Sequence, residues 1–111
     1  MQNFIFAVAL MLCGSTVSAV EMPQLAKNRN CTLCHALERK IVGPSWSDIA
    51  KHYKGNHDAP IFLANKIKMG GFGVWGAMPM PEQLVSNAEA KELAKFILGL
   101  SGDKKMVASG R

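Results

Sequence analysis

Trp46, Ile49, Ala50 and Tyr53 fall at i, i+3, i+4 and i+7, the spacing that gathers side chains on one face of an α-helix. Pro44, just upstream, suits the start of that helix. Leu63 and Ile67 stand four apart in a segment opened by Asp58-Ala59-Pro60, and Leu93, Phe96, Ile97 and Leu100 repeat the pattern. Ser86 followed by Glu89 is a capping box for this last helix. An acidic residue early and Lys91 and Lys95 later suit its dipole. A shorter helix is expected over about Pro23 to Asn30. No alternating apolar run of useful length signals a strand. The pattern predicts an all-α fold of about four or five short helices.

Two stretches interrupt this pattern. Gly55-Asn56 predicts a turn. GGFGVWGAMPMP, positions 70–81, cannot be helical with its glycines and prolines, and such a loop in a small domain calls for a functional explanation. At the other extreme, Phe4 to Cys13 is unbroken apolar sequence, with no charged side chain from Met1 to Ala19. With Val17-Ser18-Ala19 as a cleavage site this is the layout of a secretory signal peptide, although its start lacks Lys or Arg. A membrane anchor is the alternative. Ten apolar residues reach only about 15 Å as a helix, against a hydrocarbon core of about 30 Å. Lipidation at Cys13 would need a small residue where Leu12 stands. The expected organisation is a leader over 1–19, cleaved near Ala19, a domain over 20–100 and a mobile tail over 101–111.

Cleavage leaves about 92 residues, enough for only a thin core. Secreted domains of this size often rely on several disulfides, but only Cys31 and Cys34 remain. A bridge between them would close a trivial loop. A large bound cofactor would fill and tie such a core. The chain carries 13 basic and 8 acidic residues, a net charge of +5. The basic residues are scattered without interleaved aromatics, which disfavours nucleic-acid binding. They suit encounters with acidic partner surfaces.

The chemistry concentrates in CTLCH, Cys31 to His35. A structural zinc site wants four N or S ligands, and here there are three, with Cys34 and His35 adjacent. A redox CxxC usually opens a helix in a βαβ setting, and no strand is in view. The spacing does suit haem attachment: two thiols add to the vinyl groups of one porphyrin, and the next residue offers an imidazole to its iron. Such an iron needs a second axial ligand. AMPMP, Ala77 to Pro81, supplies methionines on a stretch stiffened by Pro79 and Pro81. A thioether opposite histidine gives six-coordinate iron at a higher potential than two histidines would. Local physics does not separate Met78 from Met80.

CTLCH, IVGPSW, GVWG and PMP, in this order and spacing, resemble the small bacterial class I c-type cytochromes of the five-fifty-one (c-eight) type, over about Glu21 to Gly99. The resemblance implies one haem c, bound covalently through Cys31 and Cys34, with His35 and Met80 as iron ligands. It implies that the Pro44 carbonyl accepts a hydrogen bond from His35 Nδ1–H, and that Trp75 bonds a haem propionate. Lys66 stands where relatives often have Arg near the propionates, and Gln83 where they often have Asn near the methionine sulfur. Gly70, Gly71, Gly73 and Gly76 would let the backbone pass close to the haem edge. His52 and His57 are expected on solvent-facing positions. The implied function is one-electron transfer, not catalysis, by a periplasmic monomer between a quinol-oxidising complex and a terminal reductase or oxidase. A haem subunit of a larger oxidoreductase, or a peroxidase-like or ligand-sensing protein with a labile methionine, is the alternative.

Overall fold

The computed structural model describes residues 14–15 and 19–101. The expected leader, apart from positions 14, 15 and 19, and the expected tail beyond Ser101 lie outside the described residues. Four α-helices follow in order: α1 (Gln24–Asn28), α2 (Trp46–His52), α3 (Ala59–Met69) and α4 (Asn87–Gly99), with a 3₁₀ turn over Cys31–Leu33 between the first two. Among the described residues no extended strand forms, and no helix is long and apolar enough to cross a membrane. The all-α expectation holds.

Local chemistry sets the helix ends. α1 is shorter than expected because Pro23 takes the N-cap with extended backbone and the helix stops at Arg29. Asn30 then turns left-handed, with φ 61°, a conformation Asn tolerates better than most residues. In α2 the Ser45 hydroxyl accepts from the Asp48 amide at 3.0 Å, and Tyr53, expected inside the helix, forms its C-cap. α3 starts behind Asn56, whose side chain accepts from the Asp58 amide at 2.9 Å. Gly70 ends it with φ 71°. Any side chain at Gly70 would run into the Met80 carbonyl, so this position needs glycine twice over.

The capping box on α4 is complete. Ser86 Oγ accepts from the Glu89 amide at 3.1 Å, and Glu89 Oε2 accepts from the Ser86 amide at 3.0 Å. The other oxygen, Oε1, takes the Arg29 guanidinium at 2.8 Å, fastening the end of α1 to the start of α4. The interface between α3 and α4 is the largest in the molecule, and α2 and α1 also pack on α4. The core is narrow: Leu63 and Ile67 from α3, Leu93, Ala94 and Ile97 from α4, and Trp46 and Ile49 from α2. Phe96 meets the Trp46 indole edge-on at 5.8 Å. Alanines 26, 64, 90 and 94 let the backbones close in. Much of what remains of the interior is a cavity.

Candidate haem site

The segment around CTLCH is held by backbone hydrogen bonds that hand it on to α2. The His35 and Cys34 amides donate to the Cys31 carbonyl at 2.9 and 3.1 Å, and the Gly43 amide donates to the Cys34 carbonyl at 2.7 Å. The Trp46 and Ser47 amides reach back to Ala36 and Leu37. This folds positions 36–45 into a loop that returns to His35. The imidazole is buried, 9% exposed, and its Nδ1 donates to the Pro44 carbonyl at 2.7 Å. That bond fixes the tautomer and leaves Nε2 as the free lone pair, the arrangement by which proteins orient a metal-binding histidine. A Cβ built on Gly43 would lie 2.6 Å from His35 Cε1. The ring therefore packs flat on bare backbone.

The 70–81 loop forms the other part of the site. It leaves α3 at Gly70 and closes on itself where Gly71 and Met80 pair: the Gly71 amide donates to the Met80 carbonyl at 3.0 Å, and the Met80 amide returns the bond at 2.8 Å. The loop is then tied to α3 through the Gln83 amide and the Ile67 carbonyl, 3.2 Å apart. These bonds hold the Met80 backbone, and the residue is half-buried. Met78 is 71% exposed, without such pairing.

Between the two segments lies a cavity of about 370 Å³ with mostly apolar walls, in the size range of cofactor sites. Cys31, Cys34, His35, Pro44, Lys66, Trp75 and Met80 all line it. Residues far apart in the chain are thus brought to one place. Both cysteines are free thiols. Burial, with a smaller push from Cys34, raises the Cys31 pKa. That is opposite to the depressed pKa of a reactive redox cysteine. Among the described residues no group of three or more His, Cys, Asp or Glu side chains is placed to hold a metal ion.

The donor set fits a c-type haem. It offers two unbridged thiols one turn apart, a neighbouring imidazole with its outer nitrogen engaged, a thioether on a tied loop, and an apolar cavity among them. Other contacts differ from the simplest expectation. The Lys66 amine lies 5.5 Å above the Phe62 ring, with its stem against Gly71. Gln83 Nε2 donates to the Pro81 carbonyl at 2.8 Å, so one of its two amide N–H groups is used within the loop. The Trp75 indole stays 40% exposed and packs against His52, centroids 5.1 Å apart. The pattern along α2 placed His52 in solvent. It is exposed, but the ring contact across to the loop carries no sequence signal.

A family profile described as Cytochrome c matches residues 20–101. The chain is 48% identical over 100 residues to cytochrome c-552 of Hydrogenobacter thermophilus, covering 90% of this chain and 99% of that protein. It is 42% identical over 98 residues to cytochrome c-551 of Pseudomonas aeruginosa, covering 84% and 94%. Among solved structures, the crystal structure of wild-type Nitrosomonas europaea cytochrome c552 superposes with a TM-score of 0.69 at 52% identity, over 70% of this chain and 98% of that one.

Proposed function

The chain belongs to the cytochrome c family as a small class I monohaem member with one covalently attached haem c, and we propose that it is a periplasmic one-electron shuttle with His35 and Met80 as its iron ligands. The observation that carries this reading is the convergence of Cys31, Cys34, His35 and Met80 on one apolar cavity. When bound, haem c supplies a single Fe(III)/Fe(II) couple.

The protein's own residues do the rest. Cys31 and Cys34 would hold the macrocycle by thioether bonds, which would prevent its loss on each redox cycle. His35 presents Nε2, and the Pro44 carbonyl keeps the ring from turning and makes the imidazole a stronger donor. The pairing of Gly71 with Met80 holds the methionine backbone in place before any ligand bond forms, so little entropy is lost when it does. If His35 and Met80 both ligate the iron, no position would be left for a substrate, which supports electron transfer rather than catalysis. Apolar walls exclude water and limit the solvent rearrangement that accompanies each change of charge. Dominance of thioether over a second imidazole keeps the potential high.

The remaining surface is suited to brief encounters. An excess of basic residues favours steering toward acidic partners, where charge raises encounter rates more than it adds affinity. In this reading the donor is a quinol-oxidising complex, the acceptor is a terminal reductase or oxidase, and the carrier works as a monomer. A reductive titration of the purified holoprotein tests it. The expected result is one reversible one-electron wave with no peroxide-dependent turnover. Sustained peroxidase activity in the unmodified protein would instead favour a labile methionine and an open iron.

A further inference from the structure

Trp75, in the cavity wall, packs against a residue outside it. His52, the last residue of α2, brings its imidazole to 5.1 Å from the Trp75 indole, tilted by 59°. The same imidazole meets Tyr53 edge-on at 4.7 Å. Tyr53 packs on Phe62 at 5.5 Å, and Phe62 lies beneath the Lys66 amine. Rings from α2, α3 and the 70–81 loop thus form a continuous row along one side of the cavity, with Tyr53, Phe62, Lys66 and Trp75 all in its lining.

Gly73 and Gly76 flank Trp75 with φ of 104° and 121°, backbone that only glycine adopts easily and that resists rotation least. Among the described residues, His52 is the ring that Trp75 packs against. The helix end therefore adds a ring contact to an indole that its own loop constrains little.

We propose that His52 is a positioning residue for Trp75, and that protonation of His52 tunes the reduction potential of the bound haem through this contact. The proposal rests on the electron-carrier reading above, since it requires the haem to occupy this cavity. Histidine is the side chain that ordinarily changes charge between about pH 5 and 8. An imidazolium within about 6 Å of an indole is drawn to the ring, so protonation tightens the pair while adding a positive charge behind Trp75, the member of the pair that lines the cavity. A positive charge there disfavours Fe(III) relative to Fe(II), and the potential rises as pH falls.

Other charges near His52 set the background. On α2, Asp48 lies one turn back and Lys51 is adjacent, with Lys54 in the following turn. Asp48 lines the cavity, as do Lys66 from α3 and Lys40 from the loop after CTLCH. The turn leading to α3 carries His57 and Asp58. The 70–81 loop has no titratable side chain. Among the described residues no carboxylate lies within ion-pairing distance of His52, so no partner masks its change of charge.

The test compares the holoprotein with His52→Phe, which keeps a ring without a charge, and His52→Gln, which keeps neither. Midpoint potentials are measured from pH 5 to 8, and the Trp75 indole N–H is followed by NMR in the reduced protein, assigned with Trp75→Phe. In the wild type the indole resonance shifts with pH, and the potential falls as pH rises over the same interval. In His52→Phe the resonance stays close to the wild-type position but no longer moves with pH, and that step in the potential is lost. In His52→Gln the resonance is displaced at every pH. Any pH dependence common to all three belongs to the haem's own carboxylates and cancels in the comparison. An indole resonance that ignores pH in the wild type, or a His52→Phe protein that titrates like it, overturns the proposal. A wild type without the spectrum of bound haem would overturn the carrier reading and this proposal together, before any variant is compared.

Discussion

A methyl group on Gly43 would sit 2.6 Å from His35 Cε1 and 3.0 Å from Nδ1, distances no packed carbon tolerates. Gly43→Ala must therefore push the imidazole or shift the loop that carries Pro44. Overpacking of this kind costs about 1–3 kcal/mol. The expected outcome is a lower thermal midpoint of the holoprotein together with a disturbed axial-ligand spectrum; an alanine variant with both unchanged would show that the ring does not rest on this backbone. Residues of this kind differ in how far they could be foreseen. Cys31, Cys34 and His35 were legible because their chemistry lies in their spacing along the chain. Pro44 was reached through the family resemblance alone, and the choice of Met80 over Met78 needed it too. The bond of Gln83 to the Pro81 carbonyl and the packing of His52 on Trp75 left no trace in the sequence. An imidazole on the polar side of a helix looks solvated unless the loop that crosses it is known.

Helix α4 shows what a local signal can fix. Its capping box joins residues three apart, so backbone geometry alone determines whether it forms, and both hydrogen bonds are present. Ser86→Ala removes one of them and should cost about 1 kcal/mol, measurable as a shift in the urea midpoint. Glu89 does more, since Arg29 from another helix shares its carboxylate. The Arg29 hydrogen bond, then the Ser86 amide, hold the Glu89 pKa below its ordinary value. A carboxylate depressed in the folded state contributes stability that is present above its unfolded pKa and lost as pH falls through the folded one. The wild type should therefore be more stable than Glu89→Gln at neutral pH, and this difference should shrink in acid. Because the pair is exposed, added salt should shrink it too; a difference independent of both pH and salt would assign the effect to packing. Helices could be located because apolar spacing and caps are local. The path of the 70–81 loop could not, because glycine permits many backbones and specifies none. Its closure depends on Met80 meeting Gly71, a pairing fixed by the whole fold.

At the scale of the molecule, the helices enclose too little apolar surface to be complete on their own. A cavity of about 370 Å³ lies beside a core in which alanine is prominent, and its apolar walls would otherwise face water. A ligand that binds only the folded state stabilises it by mass action, and one attached through two thioethers cannot dissociate. The double variant Cys31→Ala, Cys34→Ala, prepared without haem, should lose most of its helical circular dichroism and unfold without a cooperative transition. A well-folded apoprotein would mean that the helices suffice. The need for a filling group was legible from chain length and the shortage of cysteines, but the cavity that receives it comes from contacts between distant segments. The central claim is that His35 and Met80 ligate one haem in that cavity, and the most direct measurement is the red and near-infrared charge-transfer absorption of the oxidised protein, which reports a thioether on low-spin iron. This band is expected in the wild type and in Met78→Ala, and its loss in Met80→Ala together with a lower potential. A band that disappears with Met78→Ala and survives Met80→Ala would contradict that claim.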